Sequence, residues 1–196
     1  MDGFASAMEL LRALVLDPRL GVLMGLVLVA AATDVGWRRI PNWLVLSGLL
    51  YALAFNAVHA NFVHDGTGLG RALEGMALCF ALTLPLYVLR AMGAGDVKLM
   101  AMVGAFLGPV DGLAAVGATF VAGGGLALAI IVVRGRARRA LGNISDIARA
   151  GMAGVAARTM PDLRIAPSAS AGAMPYGVAV ALGTSGFLVA RQLGYV

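Results

Sequence analysis

The sequence is poor in charged residues and in cysteine. Only 13% of its 196 residues are charged, whereas a soluble domain carries about 25%. So small a polar fraction does not cover a water-facing surface, which excludes an ordinary soluble globular protein. The single cysteine, Cys79, excludes an internal disulfide and a CxxC-type zinc site.

Histidine is equally scarce, and this bears on metals and cofactors. The two histidines, His59 and His64, lie with Asp65 in a polar segment that offers no further ligand, so we predict no metal site. The net charge of +5 could indicate nucleic acid in a soluble protein. Here the arginines cluster between apolar segments, which favours membrane lipids over nucleic acid as partners. Nothing in the sequence indicates a cofactor.

Apolar residues are what the chain has in abundance. They make up 60% of it, and the mean hydropathy is +0.88. We predict an all-α membrane protein with six transmembrane helices, at residues 20–37, 43–58, 69–89, 97–110, 113–133 and 176–193. The fourth is shorter than the roughly 20 residues of a full span, so it must start in the interface or thin the bilayer. We predict a turn at residues 108–112 and a short interfacial helix before residue 20.

The basic residues indicate the orientation of the chain. Eleven of the fifteen lie in the segments that follow the first, third and fifth predicted spans. By the positive-inside rule these segments face the cytoplasm, so both termini face away from it. The longest of them, residues 134–174, is predicted to be a cytoplasmic loop with an amphipathic helix around 144–157. It belongs to a single predicted domain, residues 1–196.

Two aspartates fall at the same predicted edge of the membrane. Asp34 lies at the end of the first apolar run and Asp96 directly before the fourth. A carboxylate near hydrocarbon is costly and indicates a functional site. Two adjacent carboxylates do not both ionise readily, so one can act as general base and the other as general acid. The alternative is that each aspartate only caps a helix end.

Glycines flank the second aspartate. We expect Gly93 and Gly95 to adopt backbone conformations that are closed to other residues and to let a substrate strand approach closely. From topology alone, the catalytic and the capping interpretations of the aspartates stay open.

Three motifs stand in order along the chain. Asp34 is followed by Arg39-Ile40-Pro41-Asn42, then comes Gly93-x-Gly95-Asp96-x-Lys98, and Pro175-Tyr176-Gly177 opens the last apolar run. Over about residues 20–193 this arrangement resembles the type IV prepilin peptidase family, bacterial intramembrane aspartyl proteases of the GxGD class. The resemblance implies that Asp34 and Asp96 are catalytic. It also implies residues that shape the site: Gly93, Gly95, Lys98, Pro175, Tyr176 and Gly177.

The same resemblance implies a substrate and a location. The substrate is a prepilin or pseudopilin with a basic leader and an apolar helix, cut after a glycine at the cytoplasmic face of the bacterial inner membrane. Larger family members carry a cysteine-containing region between the first spans and also N-methylate the new terminus. Only a few residues separate Arg39 from the second span here, so the short form resembles peptidases of Flp-type (tight-adherence) pilus systems. Methyl transfer is disfavoured.

Two other functions could use the same residues. An ion-coupled transporter could use both acids as relay groups, but it predicts ionisable groups near the bilayer midplane and an internal repeat. A non-catalytic pilus-assembly membrane protein could keep the fold, but the paired aspartates would then have no shared role. We therefore favour an aspartic endopeptidase.

Overall fold

The structure is a computed structural model that describes residues 17–59, 68–89, 91–133 and 176–194. Within these ranges the chain forms six helices and no strand: α1 Pro18–Trp37, α2 Asn42–His59, α3 Leu69–Val88, α4 Ala94–Leu107, α5 Pro109–Val133 and α6 Tyr176–Gln192. The all-α prediction is thereby confirmed for these residues. The helices predicted before residue 20 and around 144–157 lie largely or wholly outside them.

The chain divides into two units. One comprises Met1–Gly123 with Pro175–Val196, and the other is Gly124–Met174. All the contacts discussed below belong to the first unit. Within the described ranges, the second unit contributes only the last part of α5.

Three of the helices are long and apolar enough to cross a membrane, namely α1, α3 and α5. At about 1.5 Å per residue, the 20 residues of α1 extend about 30 Å, the thickness of the hydrocarbon core. Large apolar side chains such as Trp37 and Val121 point outward, which is favourable in lipid and unfavourable in water. The protein is a membrane protein. That α2, α4 and α6 also span the membrane stays a prediction.

Local signals explain where α1 begins and ends. Asp17 accepts a hydrogen bond from the backbone N–H of Arg19, and Pro18 occupies the first turn, where its missing N–H costs nothing. At the other end Arg38 adopts the left-handed conformation, with φ of 51°, and donates its N–H to the carbonyl of Asp34. Only residues 38–41 then separate α1 from α2.

The predicted turn at residues 108–112 is wrong. A single residue, Gly108, separates α4 from α5, and helix resumes at Pro109. Gly108 has φ of +83°, which glycine adopts without strain, and its N–H bonds the carbonyl of Gly104. Proline suits the first position of the next helix. The Gly-Pro pair therefore ends α4 at Leu107, three residues before the end of the predicted span.

The core of the bundle is built around α4. Every residue from 99 to 107 is buried, and α4 contacts α1, α2, α3 and α6. Its closest partner is α3, where Gly75 faces the backbone of Gly104 and Gly108 with no room for a side chain. The other main pairing joins α1 to α6. These pairings bring the end of α1 and the starts of α2, α4 and α6 to one end of the bundle.

Candidate active site

Asp34 lies in the last turns of α1, and its side chain is buried against the first turn of α6. Its Oδ2 accepts a hydrogen bond of 2.7 Å from the backbone N–H of Gly177. A Cβ on residue 177 would stand 3.0 Å from both Cβ and Oδ2 of Asp34. Glycine at this position therefore lets the helix backbone reach the carboxylate directly.

Asp96 lies in the first turn of α4, where the exposed N–H groups of a helix favour a negative charge. Its Oδ2 accepts a hydrogen bond of 3.1 Å from the backbone N–H of Gly93. Asp96 therefore does cap the start of α4, as one of the two interpretations of the sequence predicted. This capping does not exclude chemistry, because this bond uses only one carboxylate oxygen.

The prediction that Gly93 and Gly95 adopt backbone conformations closed to other residues is wrong, whereas close approach of a substrate strand stays a prediction. Gly93 has φ of −76° and ψ of 153°, a conformation open to any residue, and Gly95 is helical. What glycine provides here is space. A Cβ at Gly93 would lie 2.9 Å from Oδ2 of Asp96, and one at Gly95 would lie 3.3 Å from the side chain of Ile40.

The two aspartates are electrostatically coupled. Each residue is only 8% exposed. Asp96 lies outside the three helices that are long enough to cross a membrane. Burial, and next the negative charge of Asp34, raise the pKa of the Asp96 carboxyl to about 6. Carboxylates from α1 and α4 therefore lie close enough to interact electrostatically.

The remaining sequence motifs meet at the same end of the bundle. Ile40 packs on Gly95, and Nζ of Lys98 donates to Oδ1 of Asn42 at 3.3 Å. The segment between α1 and α2 is thereby fixed to the first turns of α4. Tyr176, at the start of α6, is close enough to Asp96 for an electrostatic interaction. Pro175 lies outside the described residues.

A hydrophobic groove opens beside the Lys98–Asn42 pair. Its volume is about 570 Å³, and it runs between α2, α3 and α4. Apart from that polar pair at one end, the groove is lined by apolar side chains: Val45, Leu46, Leu49, Met76, Ala77, Phe80 and Ala101.

Sequence reasoning found the two carboxylates but missed two contacts of the site: the bond from the N–H of Gly177 to Asp34, and the bond from Lys98 to the amide of Asn42. The N–H of Gly177 and the amide of Asn42 were inside recognised motifs, yet no role followed from their positions in sequence. Gly177 is 143 residues from Asp34, and such a contact depends on how α6 packs. The available signal was the glycine itself, because Gly177 stands at the start of a helix that was predicted to begin at the membrane edge where Asp34 lies.

Two buried carboxylates that interact electrostatically, each accepting a hydrogen bond from a backbone N–H, are suited to activating a water molecule. The type IV leader peptidase family matches residues 21–128, more than half of the chain. The chain belongs to this family. Comparison with curated proteins and with solved structures gives no match.

Family membership confirms the resemblance drawn from the motifs and makes the protein a protease of the leader-peptidase type. The part of the leader peptidase that the family matches includes Asp34, Asp96 and the Gly93 to Lys98 motif. This part ends within α5, so Tyr176 and Gly177 lie outside the match. The contact of Gly177 with Asp34 connects this unmatched helix to the matched part of the peptidase.

Proposed function

We propose that this peptidase hydrolyses the leader of a prepilin with Asp34 and Asp96 as a catalytic dyad. One observation carries the proposal: residues from α1 and α4 place two buried carboxylates close enough that the charge of Asp34 raises the pKa of Asp96. A pair in which one member holds a proton at a pH where the other is ionised has both the base and the acid that peptide hydrolysis needs.

The proposed reaction uses one ionised and one protonated carboxyl group. The ionised carboxylate accepts a proton from water as the water oxygen bonds to the scissile carbonyl carbon, and the protonated carboxyl donates to the carbonyl oxygen. The C–N bond then breaks: the leaving amine takes up the proton removed from water, and a hydroxyl of the gem-diol returns its proton to the carboxylate that had donated to the carbonyl oxygen, which leaves the acid product and restores the dyad. The carboxylates exchange roles over the cycle, so the proton belongs to the pair rather than to one residue.

Co-expression with a candidate prepilin tests the dyad. Asp34→Asn and Asp96→Asn each keep the shape of the side chain but remove its ability to exchange a proton. We expect each alone to lower cleavage by about 100-fold or more, because positioned acid–base groups contribute about 10²–10⁴ in rate. Cleavage is read from the gel mobility of the prepilin, and enzyme abundance from a membrane immunoblot.

The matched control is Glu74→Gln, which makes the same change on an exposed residue of α3. It should process the prepilin at the wild-type rate. Normal processing by either aspartate variant would contradict the dyad, and it would favour a role of these acids in a process other than peptide hydrolysis.

The substrate proposal rests on the family and on one short connection. We propose a Flp-type prepilin, cleaved after a glycine at the cytoplasmic face of the bacterial inner membrane. Support for the short subtype comes from residues 38–41, the whole connection between α1 and α2, which contains no inserted region. For the same reason we propose hydrolysis without N-methylation of the product.

A further inference from the structure

A polar cavity lies at the end of the bundle opposite the aspartates. Its volume is about 240 Å³, room for about eight water molecules at roughly 30 Å³ each. Three arginines from three helices line it: Arg19 of α1, Arg71 of α3 and Arg191 of α6. Asn56 and Asp111 complete its polar lining. Neither the family nor the proposed dyad accounts for these arginines.

The charges in and around this cavity do not cancel. Arg191 pairs with Asp111 at 2.5 Å, and Arg19 lies 3.7 Å from Asp17. Arg71 forms no ion pair with any residue that the structure describes. Among the described residues that line the cavity or pair with its arginines, three guanidinium groups stand against two carboxylates, an excess of one positive charge that a ligand with a single negative charge would balance.

The hydrogen-bond donors of the cavity also do not all have acceptors. Nε of Arg19 is buried, and it has no acceptor among the described residues. A buried donor without a partner costs free energy that a bound acceptor would recover. Arg71 curls against Gly108, which has no side chain to displace it. The cavity therefore has both an unpaired charge and an unused donor.

We propose that this cavity binds a phosphate group that carries one negative charge, the phosphodiester of an anionic phospholipid. Guanidinium groups bind phosphate oxygens through paired N–H donors. Arg19 lies 15 residues before Asp34 on α1, or about 22 Å along the helix axis. Arg19 lies in the first turn of α1, and α1 is about as long as the hydrocarbon core is thick, so the cavity lies near the membrane surface opposite the aspartates, close to the lipid headgroups.

The test uses the whole protein purified in an uncharged detergent, with thermal unfolding as the measurement. Short-chain phosphatidylglycerol, phosphatidylcholine and inorganic phosphate are titrated separately. We expect phosphatidylglycerol to raise the melting temperature with saturation, since a ligand that binds only the folded state stabilises it. Arg71→Gln should weaken the apparent affinity by about tenfold, the effect of losing one charge-assisted contact.

Further variants keep the result interpretable. Arg19→Gln should weaken the lipid affinity as Arg71→Gln does. The affinity of Arg71→Lys should fall between those of wild type and Arg71→Gln, because lysine keeps the charge but lacks the paired N–H donors of the guanidinium group. Glu74→Gln, one turn from Arg71 on α3, should match wild type.

The three titrants identify the source of the phosphate. Stabilisation by phosphatidylglycerol alone supports a lipid ligand, and equal stabilisation by inorganic phosphate, lost in Arg71→Gln, supports a free anion at the same site. The proposal is overturned if no titrant stabilises the protein. It is equally overturned if the two glutamine variants respond as wild type does.

Discussion

At the scale of single residues, the site depends on contacts that only glycine allows. Asp34 and Asp96 could be predicted from sequence, because each is a carboxylate at the edge of an apolar run and the flanking motifs are specific. Their partners could not be predicted. The N–H of Gly177 reaches Asp34 across 143 residues of sequence, and no local pattern encodes that distance.

Gly177→Ala should lower the rate of cleavage without loss of folded protein. The new methyl group would stand 3.0 Å from Oδ2 of Asp34, so the carboxylate must move. A displacement of about 1 Å in a catalytic group can cost about 100-fold in rate. We therefore expect kcat to fall by between about tenfold and about 100-fold. Initial rates on a prepilin peptide in detergent measure it.

The matched control for that change lies in the same helix. A Cβ at Gly186 would meet nothing within 4 Å, so Gly186→Ala should cleave at the wild-type rate. If Gly177→Ala were also as active as wild type, the contact with Asp34 would have no role in positioning the carboxylate.

At the scale of helices, sequence predicted most boundaries to within a few residues and failed at one junction. The apolar runs and the polar residues between them gave four helices, α1, α2, α3 and α6, within two residues of their observed limits. The α4–α5 break was misjudged because a Gly-Pro pair fits both an open turn and an immediate restart of helix. Only the packing of α4 against α3 decides between them, and that packing depends on glycine contacts between distant residues.

Gly75→Ala should destabilise the pairing of α3 with α4. The added Cβ would overlap the carbonyl oxygen of Gly104 and the backbone of Gly108, and backbone atoms do not move aside as a flexible side chain does. Overpacking of this kind costs about 1–3 kcal/mol. Thermal unfolding in detergent should therefore show a lower melting temperature.

Gly70→Ala provides the comparison on the same helix. A Cβ there would have no neighbour within 4 Å, and alanine is the better helix former. Its melting temperature should equal or exceed that of wild type. Equal stability of the two variants would show that the approach of α3 to α4 does not depend on the missing side chain.

At the scale of the whole molecule, composition and arginine positions predicted a membrane protein and an orientation. The membrane character is confirmed by the helices and the family. The orientation stays a prediction, because it follows from an uneven distribution of basic residues and from no contact within the protein. Asp34 and Asp96 do share one end of the bundle, as that orientation requires.

Reporter fusions test the orientation. A phosphatase that is active only outside the cytoplasm should be active when it is fused after residue 194. The same reporter fused within residues 134–174 should be inactive, and a fluorescent protein that folds only in the cytoplasm should give the opposite pattern at both positions. Phosphatase activity at the internal position would contradict the assignment of the aspartates to the cytoplasmic face.

The bond between Asp34 and Gly177 also has a consequence for biosynthesis. A ribosome that has made α1 to α5 has already produced both carboxylates, yet the donor that holds Asp34 belongs to the last described helix. Until α6 is synthesised and packs against α1, the nascent protein lacks a component of its proposed site. We therefore expect proteolytic competence to appear late during synthesis, so that an unfinished chain in the membrane poses little danger to neighbouring proteins.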